Sequence, residues 1–235
     1  MMLKLSDHKI TDPKDITEGQ VVGSVLLTDY DGPIKEFPRN VTIRGFAEMR
    51  DCKAFRECPS GLTVSGDFGA SDNYAWTRLA RDLKVGGSLD IWHCKSIQTI
   101  PSGIIVGKDL HAYGCTALVE IESGFQSNGS IGLQQCTSLK ILPEDFVVKG
   151  NLTLGGCISL EGLPRGLNVM GDLDLRYCTA LVSLPEDLEV TGSINLSGCE
   201  GIKIPRTILD RHGDRIFFPE NYSVTEPQAG GPEPC

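Results

Sequence analysis

Several features that would assign a chain to a common functional class are missing from these 235 residues. No window holds the roughly 18 uninterrupted apolar residues that a membrane-spanning helix requires, so we predict no membrane association. The first eight residues, MMLKLSDH, lack the apolar run of a secretory signal, which predicts a cytoplasmic protein or one delivered into another cell's cytosol. Lys and Arg number 22 against 31 Asp and Glu, and they form no basic stripe. The net charge of −9 therefore disfavours nucleic acid as a partner.

Catalytic and metal-binding signatures are missing as well. No Ser-His-Asp set, nucleotide-binding glycine loop or pair of catalytic carboxylates stands out, so we predict no enzymatic activity and no cofactor. His93 beside Cys94, with His111 near Cys115, comes closest to a zinc site. No CxxC-type pair accompanies them, and alternation along a strand points His111 away from the cysteines. The sequence therefore predicts no metal site.

What the chain does contain is a repeat of 21 residues marked by cysteine. Six cysteines recur at this interval without a break. Counting back from the first of them by 21 residues at a time reaches Asn73, Cys52 and Asp31. Around each position recurs the phrase LxVxGxLxLxxCxxLxxLPxx. A fixed period of this length predicts a solenoid of about nine repeats, each burying its apolar side chains against its neighbours. The regular cysteines are Cys94, Cys115, Cys136, Cys157, Cys178 and Cys199.

The residue types within one repeat predict its local structure. Alternation of Leu173 and Leu175 up to Cys178 indicates a strand with one apolar face. The preceding Leu-x-Val, ending at Val169, indicates a second short strand. Gly171 between the two strands suits a bend where two backbones approach closely. The Leu-Pro pair after the cysteine leaves room only for a turn or a helical fragment.

This phrase resembles the leucine-rich repeat. The family kernel LxxLxLxxN/CxxL is matched by the run from Ile194 through Cys199 to Ile202, and the resemblance covers residues 20–205. It implies an α/β or mainly β, right-handed solenoid with one curved parallel sheet whose concave face binds proteins. The form with Leu-Pro looks most like the short repeats of bacterial secreted effectors. The first apolar residue of each repeat sits one place early, before a glycine, so a parallel β-helix with several strands per turn stays open as the alternative.

The repeat also predicts how the chain is divided. We expect an N-terminal cap at residues 1–19, the solenoid at 20–205, a C-terminal cap at 206–218 and a disordered acidic tail at 219–235. An uncapped solenoid would expose apolar core and strand edges at each end. Because both ends carry polar or irregular segments instead, we predict a monomer.

The cysteines are predicted to be structural thiols. They follow the period of the solenoid rather than a pairing pattern, and parallel side chains about 4.8 Å apart point the same way. In leucine-rich repeats this position satisfies buried backbone groups of a turn, and Asn73 can do the same. Cys58 falls on an apolar turn position, which predicts a core residue. Cys235 lies on the tail and is expected to be exposed.

Outward-facing positions of the main strand are where a binding site is expected, because packing demands no particular residue there. Trp92 and Tyr113 occupy one column on adjacent strands, so we expect them side by side, about 4.8 Å apart. Exposed Trp, Tyr and Arg dominate interface energies. The alternative is a purely structural role, in which the aromatic pair only stabilises the sheet. The predicted partner-binding residues are Trp92, Tyr113, His93, His111, Asp90 and Asp109, with a second group at Arg176 and Tyr177 beside Asp174.

These observations predict a non-enzymatic protein-binding scaffold whose partner the sequence does not identify. The resemblance suggests a bacterial or viral effector or inhibitor. Two alternatives remain at this stage. One is a structural solenoid that self-associates, and the other is a carbohydrate-binding module using Trp92, Tyr113 and the nearby acids.

Overall fold

A computed structural model describes residues 9–144 and 146–226. It shows a mainly β solenoid of about ten turns spaced by about 21 residues, as the sequence predicts. The strands are two to four residues long, and the paired strands of every sheet run parallel. Within the described residues, helix is confined to a seven-residue α-helix and two three-residue 3-10 helices: Arg206–His212, Pro13–Asp15 and Gly213–Arg215.

The longest sheet, which we call the first sheet, has eleven strands stacked in chain order. Nine of them are the main strands of the nine predicted repeats. The end strands come from segments predicted as caps, so the sheet is two strands longer than expected. Its strands are Lys9–Ile10, Ser24–Leu26, Ala47–Glu48, Phe68–Gly69, Leu89–Asp90, Leu110–His111, Ile131–Gly132, Leu152–Thr153, Leu173–Asp174, Ile194–Asn195 and Ile216–Phe217.

A second face of the coil is formed by the Leu-x-Val segments, which the sequence predicts as short strands. Six strands form one parallel sheet and three more continue the face as a separate sheet. The six are Val21–Val22, Thr42–Ile43, Thr63–Val64, Lys84–Val85, Ile105–Val106 and Gln126–Ser127. The three are Val147–Val148, Asn168–Val169 and Glu189–Val190.

A third face follows the cysteine corner. Thr99–Ile100 pairs with Glu120–Ile121, and single bridges such as Gly162 with Ser183 continue the face. One turn therefore carries up to three short strands. The predicted mainly β solenoid of stacked parallel strands is confirmed, and the presence of several parallel sheets is consistent with the parallel β-helix alternative.

Apolar side chains from all three faces fill the interior. In one turn, Leu89, Ile91, Cys94, Ile100 and Val106 are completely buried. Alternation places them inward because successive side chains of a strand point to opposite faces. Backbone hydrogen bonds between turns hold the stack together; for example, the Ile91 N–H donates to the His111 carbonyl at 2.8 Å.

The cysteine ladder lies inside the coil, which confirms its predicted position. Each rung thiol donates to a backbone carbonyl of the preceding turn at 2.6–3.2 Å, so the thiols satisfy buried acceptors at the corner. Asn73 takes over this task where the ladder lacks a cysteine. Cys58 is also buried, as predicted, while Cys235 lies outside the described residues.

The C-terminal segment differs from its prediction. Residues 219–226 were expected to be disordered, but Tyr222–Thr225 forms a strand parallel to Ile202–Pro205. The segment gains order because the solenoid offers it an unpaired strand edge, which compositional arguments do not consider. The remainder of the predicted tail, 227–235, lies outside the described residues, as does 1–8 of the N-terminal cap. Within the described residues, no helix is long and apolar enough to cross a membrane.

Burial gives the thiols a testable chemical property. It raises the pKa of Cys52, Cys115 and Cys157 to about 12, so that at pH 8 roughly one molecule in ten thousand carries the thiolate. A thiol-reactive reagent should therefore label at most Cys235 in the native protein and all nine cysteines in urea. Rapid native labelling of several thiols would contradict the structural role of the ladder.

Candidate ligand-binding site

The predicted aromatic residues lie on the outward face of the first sheet. Asp90 pairs in register with His111, which places Trp92 and Tyr113 at equivalent positions of adjacent turns. The Trp92 side chain is 47% exposed and Tyr113 is 43% exposed, so neither ring is required by the core. Their predicted location on the solvent face is confirmed.

The ring contacts differ from the expected aromatic pair. Trp92 packs edge-on against His111 with ring centroids 6.2 Å apart, and Tyr113 packs edge-on against His93 at 5.4 Å. His93 has a left-handed backbone conformation at the corner, with φ of 55°, which turns its ring towards the next strand. A Cβ atom on Gly114 would lie 2.6 Å from the His93 ring, so glycine there makes room for it. We call these two aromatic–histidine pairs, Trp92 with His111 and His93 with Tyr113, the aromatic wall.

A pocket of about 510 Å³ opens beside this wall. We call it the Gly132 pocket after one of its lining residues, which stands in register between His111 and Thr153 and contributes no side chain. The aromatic wall bounds the pocket on one side, and short polar residues bound it elsewhere. The lining residues are Trp92, His93, His111, Tyr113, Ser130, Gly132, Gln134, Asn151 and Thr153.

The pocket brings together four of the eight residues predicted to bind a partner. Sequence reasoning missed the other five lining residues, which were interpreted as an ordinary polar, solvated face: Ser130, Gly132, Gln134, Asn151 and Thr153. The signal that could have found them was the glycine in the column between His111 and Thr153. A missing side chain between two larger ones leaves a depression in an otherwise flat sheet.

Asp90 lies beside the wall, in register with His111 on the preceding turn. Its Oδ1 atom lies 3.9 Å from His111 Nε2 and, although buried, has no hydrogen-bond partner among the described residues. Burial raises the pKa of the Asp90 carboxyl, while the charges of His111 and Arg50 act in the opposite direction. His93 is placed in the same way, with Nδ1 at 3.5 Å from Asp72 Oδ1. Each histidine of the wall thus has a carboxylate of the preceding turn next to it.

Asp109 stabilises the backbone of the next turn, a role that the sequence alone does not indicate. It belongs to a column of Asp, Asn and Ser residues at the corner between the second face and the first sheet. A side-chain oxygen of each accepts the backbone N–H found 21 residues later, at 2.6–3.0 Å. Asp109 is therefore a turn-stabilising residue next to the pocket. The donor–acceptor pairs are Ser88 to Asp67, Ser130 to Asp109, Asn151 to Ser130, Asp172 to Asn151 and Ser193 to Asp172.

The second predicted group stands apart from the pocket. The Arg176 guanidinium binds Asp174 through two nitrogens, with Nε–Oδ1 at 3.0 Å and Nη2–Oδ2 at 2.8 Å. Tyr177 is 63% exposed and lies over Gly198 of the next turn, as His93 lies over Gly114. None of these three side chains lines the pocket. Arg176 already has its carboxylate partner, which makes this group the weaker candidate.

Comparisons with known proteins do not assign the chain to a family. No protein-family model matches it, and no curated protein matches it either. In the part of the chain that the structure describes, no group of three His, Cys, Asp or Glu residues is arranged to hold a metal ion. The geometry of the pocket is therefore the basis for a functional proposal.

Proposed function

We propose that this solenoid is a non-enzymatic protein-binding scaffold that engages its partner through the Gly132 pocket and its aromatic wall. The observation that carries the proposal is the pocket itself. Two large aromatic side chains stay half exposed beside a depression, on a sheet face whose other outward residues are mostly small and polar. Exposed aromatics next to a concave site are typical of interface centres, where a few anchoring contacts supply most of the affinity.

The repeat architecture supports this proposal. Solenoids commonly present extended surfaces for protein recognition, and the resemblance of the repeat phrase to leucine-rich repeats points the same way. Following that resemblance, we propose an effector or inhibitor that acts as a monomer in the cytoplasm. The acidic net charge supports a protein partner over nucleic acid.

A carbohydrate is the second candidate ligand. An aromatic wall facing Gln134, Asn151 and Thr153 offers one apolar surface together with amide and hydroxyl groups. This combination suits a neutral polar ring. A protein partner is favoured because the face around the pocket carries several carboxylates that a neutral sugar would leave without a counter-charge.

Two substitutions test the proposed site. Trp92→Ala should change the free energy of unfolding by less than about 1 kcal/mol because the side chain is half exposed. The same change should weaken partner binding by about 2 kcal/mol or more if the ring is an anchor. Gly132→Val should also abolish binding, because its side chain fills the floor of the pocket. Affinity capture from a lysate, followed by titration of the captured protein, measures both effects.

Controls separate loss of the site from loss of the fold. Gly162→Val is matched to Gly132→Val, since a Cβ atom at Gly162 meets no atom within 4 Å and this residue lies on the third face. Ser193→Ala changes the first sheet three turns beyond Gly132. Both control variants should bind like wild type. A Trp92→Ala variant that unfolds, or that binds an identified partner normally, would show that the ring only packs against the sheet.

A further inference from the structure

The outward face around the pocket is electronegative. Between residues 46 and 197, the outward-facing positions of the first sheet carry six carboxylates and two arginines. They are Glu48, Asp67, Asp90, Asp109, Asp172 and Asp174, with Arg50 and Arg176. Arg50 is already paired with Glu48, and Arg176 with Asp174. Of the other four carboxylates, Asp90 lies next to His111, whereas Asp67, Asp109 and Asp172 form no ion pair within the described residues.

Three of these four carboxylates accept backbone N–H groups, which orient them but do not neutralise their charge. Asp90 is the exception, because its buried Oδ1 has no hydrogen-bond donor in the described structure. Asp90 lies next to His111, one of the residues of the wall, on the preceding turn. Asp90 does not itself line the pocket, but a positive charge there would be separated from this carboxylate only by His111 and would be attracted to it.

The walls of the pocket favour a flat cation over a compact one. The rings of Trp92 and Tyr113 can stack with a planar guanidinium, which is attracted to aromatic faces and is less strongly hydrated than an ammonium group. The floor supplies an acceptor, because Gln134 Oε1 lies 3.2 Å from the position that a Cβ atom on Gly132 would occupy. Arginine has five N–H donors in a rigid fork, so it can stack on a ring and donate to Gln134 at once.

From this combination we infer that the Gly132 pocket receives an arginine side chain presented by a basic segment of the partner protein. The inference rests on the proposed protein-binding function and adds the chemistry of its anchor. The aromatic wall holds the guanidinium plane, Gln134 accepts a hydrogen bond from it, and Asp90 with Asp109 supplies the compensating charge. An acidic partner segment is repelled by the same face.

The test is a titration of the full chain with short blocked peptides. Binding is measured from the shifts of two NMR signals, the Trp92 indole N–H and the Gln134 side-chain amide. The probes are acetyl-Gly-Gly-Xaa-Gly-Gly-amide with arginine, lysine or citrulline at Xaa. Citrulline keeps the shape of arginine and removes its charge. We expect the arginine peptide to bind about tenfold more tightly than the citrulline peptide, and the lysine peptide to fall between them. Added salt should weaken the arginine peptide most.

Matched variants place the effect at the pocket. Gly132→Val should remove the response to the arginine peptide, whereas Gly162→Val should leave it unchanged. Gln134→Leu should weaken arginine more than lysine, because it removes an acceptor that a planar fork uses. The inference is overturned if the arginine peptide gives no response at 20 mM, about the weakest binding this titration detects. It is also overturned if citrulline, an acidic peptide or maltose binds as well as arginine.

The outcome also separates this inference from the protein-binding function. Suppose a captured partner loses binding with Gly132→Val but tolerates replacement of each arginine at its contact surface. The scaffold function then stands and the arginine anchor is wrong. If capture is instead insensitive to both Gly132→Val and Trp92→Ala, the function proposed for this face fails as well.

Discussion

Replacing Gly171 by alanine is expected to lower the free energy of unfolding by about 2–3 kcal/mol, although only one methyl group is added. A Cβ atom at this position would lie 2.8 Å from both the carbonyl carbon and the carbonyl oxygen of Gly150 in the preceding turn. It would also collide with Asn151 Oδ1, which accepts the Asp172 N–H at 2.8 Å. The two segments cannot separate freely, because neighbouring residues tie these turns together. The Met170 N–H donates to the Val148 carbonyl, and the Leu152 N–H donates to the Asp172 carbonyl, both at 2.9 Å. Urea unfolding followed by circular dichroism measures the change.

Gly162→Ala is the matched control for this effect. A Cβ atom there has no atom within 4 Å, so the substitution should leave stability within about 0.5 kcal/mol of wild type. A difference between the two variants isolates the close approach of turns from the general effect of replacing glycine. Equal stability of the two variants would mean that the corner relaxes without cost, and that the glycine column at Gly129, Gly150, Gly171 and Gly192 has another origin.

The sequence predicts the solenoid well because its period is a direct consequence of packing. Each turn must place an apolar residue at the same position, so Leu152, Leu173 and Ile194 recur at 21-residue intervals and are all completely buried. The second strand was also predictable, since Val169 precedes a glycine that the bend requires. The number of faces in one turn could not be predicted. Thr99 and Glu120 show no strand pattern, and their pairing follows only from the way the coil closes.

The candidate pocket was only partly predictable. Alternation along the strand places Trp92 and Tyr113 outside, and the structure agrees. It does not say which way each ring turns, because that depends on the rotamers of neighbours and on the backbone at the corner. The left-handed conformation of His93 brings its ring to Tyr113, and a missing side chain at Gly132 creates the depression. Both features depend on contacts between turns rather than on the phrase within a turn.

The polar column beside the pocket shows the same limit. Asp109 reads as a surface acid in the sequence, yet its carboxylate accepts the Ser130 N–H of the next turn at 2.6 Å. Asp, Asn and Ser all occupy this column because each has a short side chain whose oxygen can accept the same backbone N–H of the next turn. Their mixture hides the rule from a search for one repeated residue. A search for shared hydrogen-bonding capacity would have found it.

Asn73 provides the second large expected effect, because it replaces a cysteine of the ladder and makes more bonds than a thiol does. Its amide donates to the Met49 carbonyl at 2.6 Å and the Ala70 carbonyl at 2.7 Å, while Oδ1 accepts the Cys52 N–H at 2.9 Å. Asn73→Ala leaves the Met49 carbonyl and the Cys52 N–H without their partner, while the Ala70 carbonyl keeps the Cys94 thiol at 3.1 Å. The free energy of unfolding should therefore fall by about 2–3 kcal/mol.

Asn73→Cys provides the control that tests why the ladder tolerates this exception. A thiol can donate to one carbonyl of the preceding turn, as Cys94 does to Ala70 at 3.1 Å, but it is a poor acceptor for the Cys52 N–H. Its loss of stability should therefore lie between those of wild type and Asn73→Ala, and calorimetric unfolding of the three proteins should give that order. If Asn73→Cys and Asn73→Ala were equally unstable, the rung position would demand an amide in this turn. If Asn73→Ala were as stable as wild type, water would replace the lost bonds and the rung residues would be fillers of space rather than hydrogen-bonding supports of the corner.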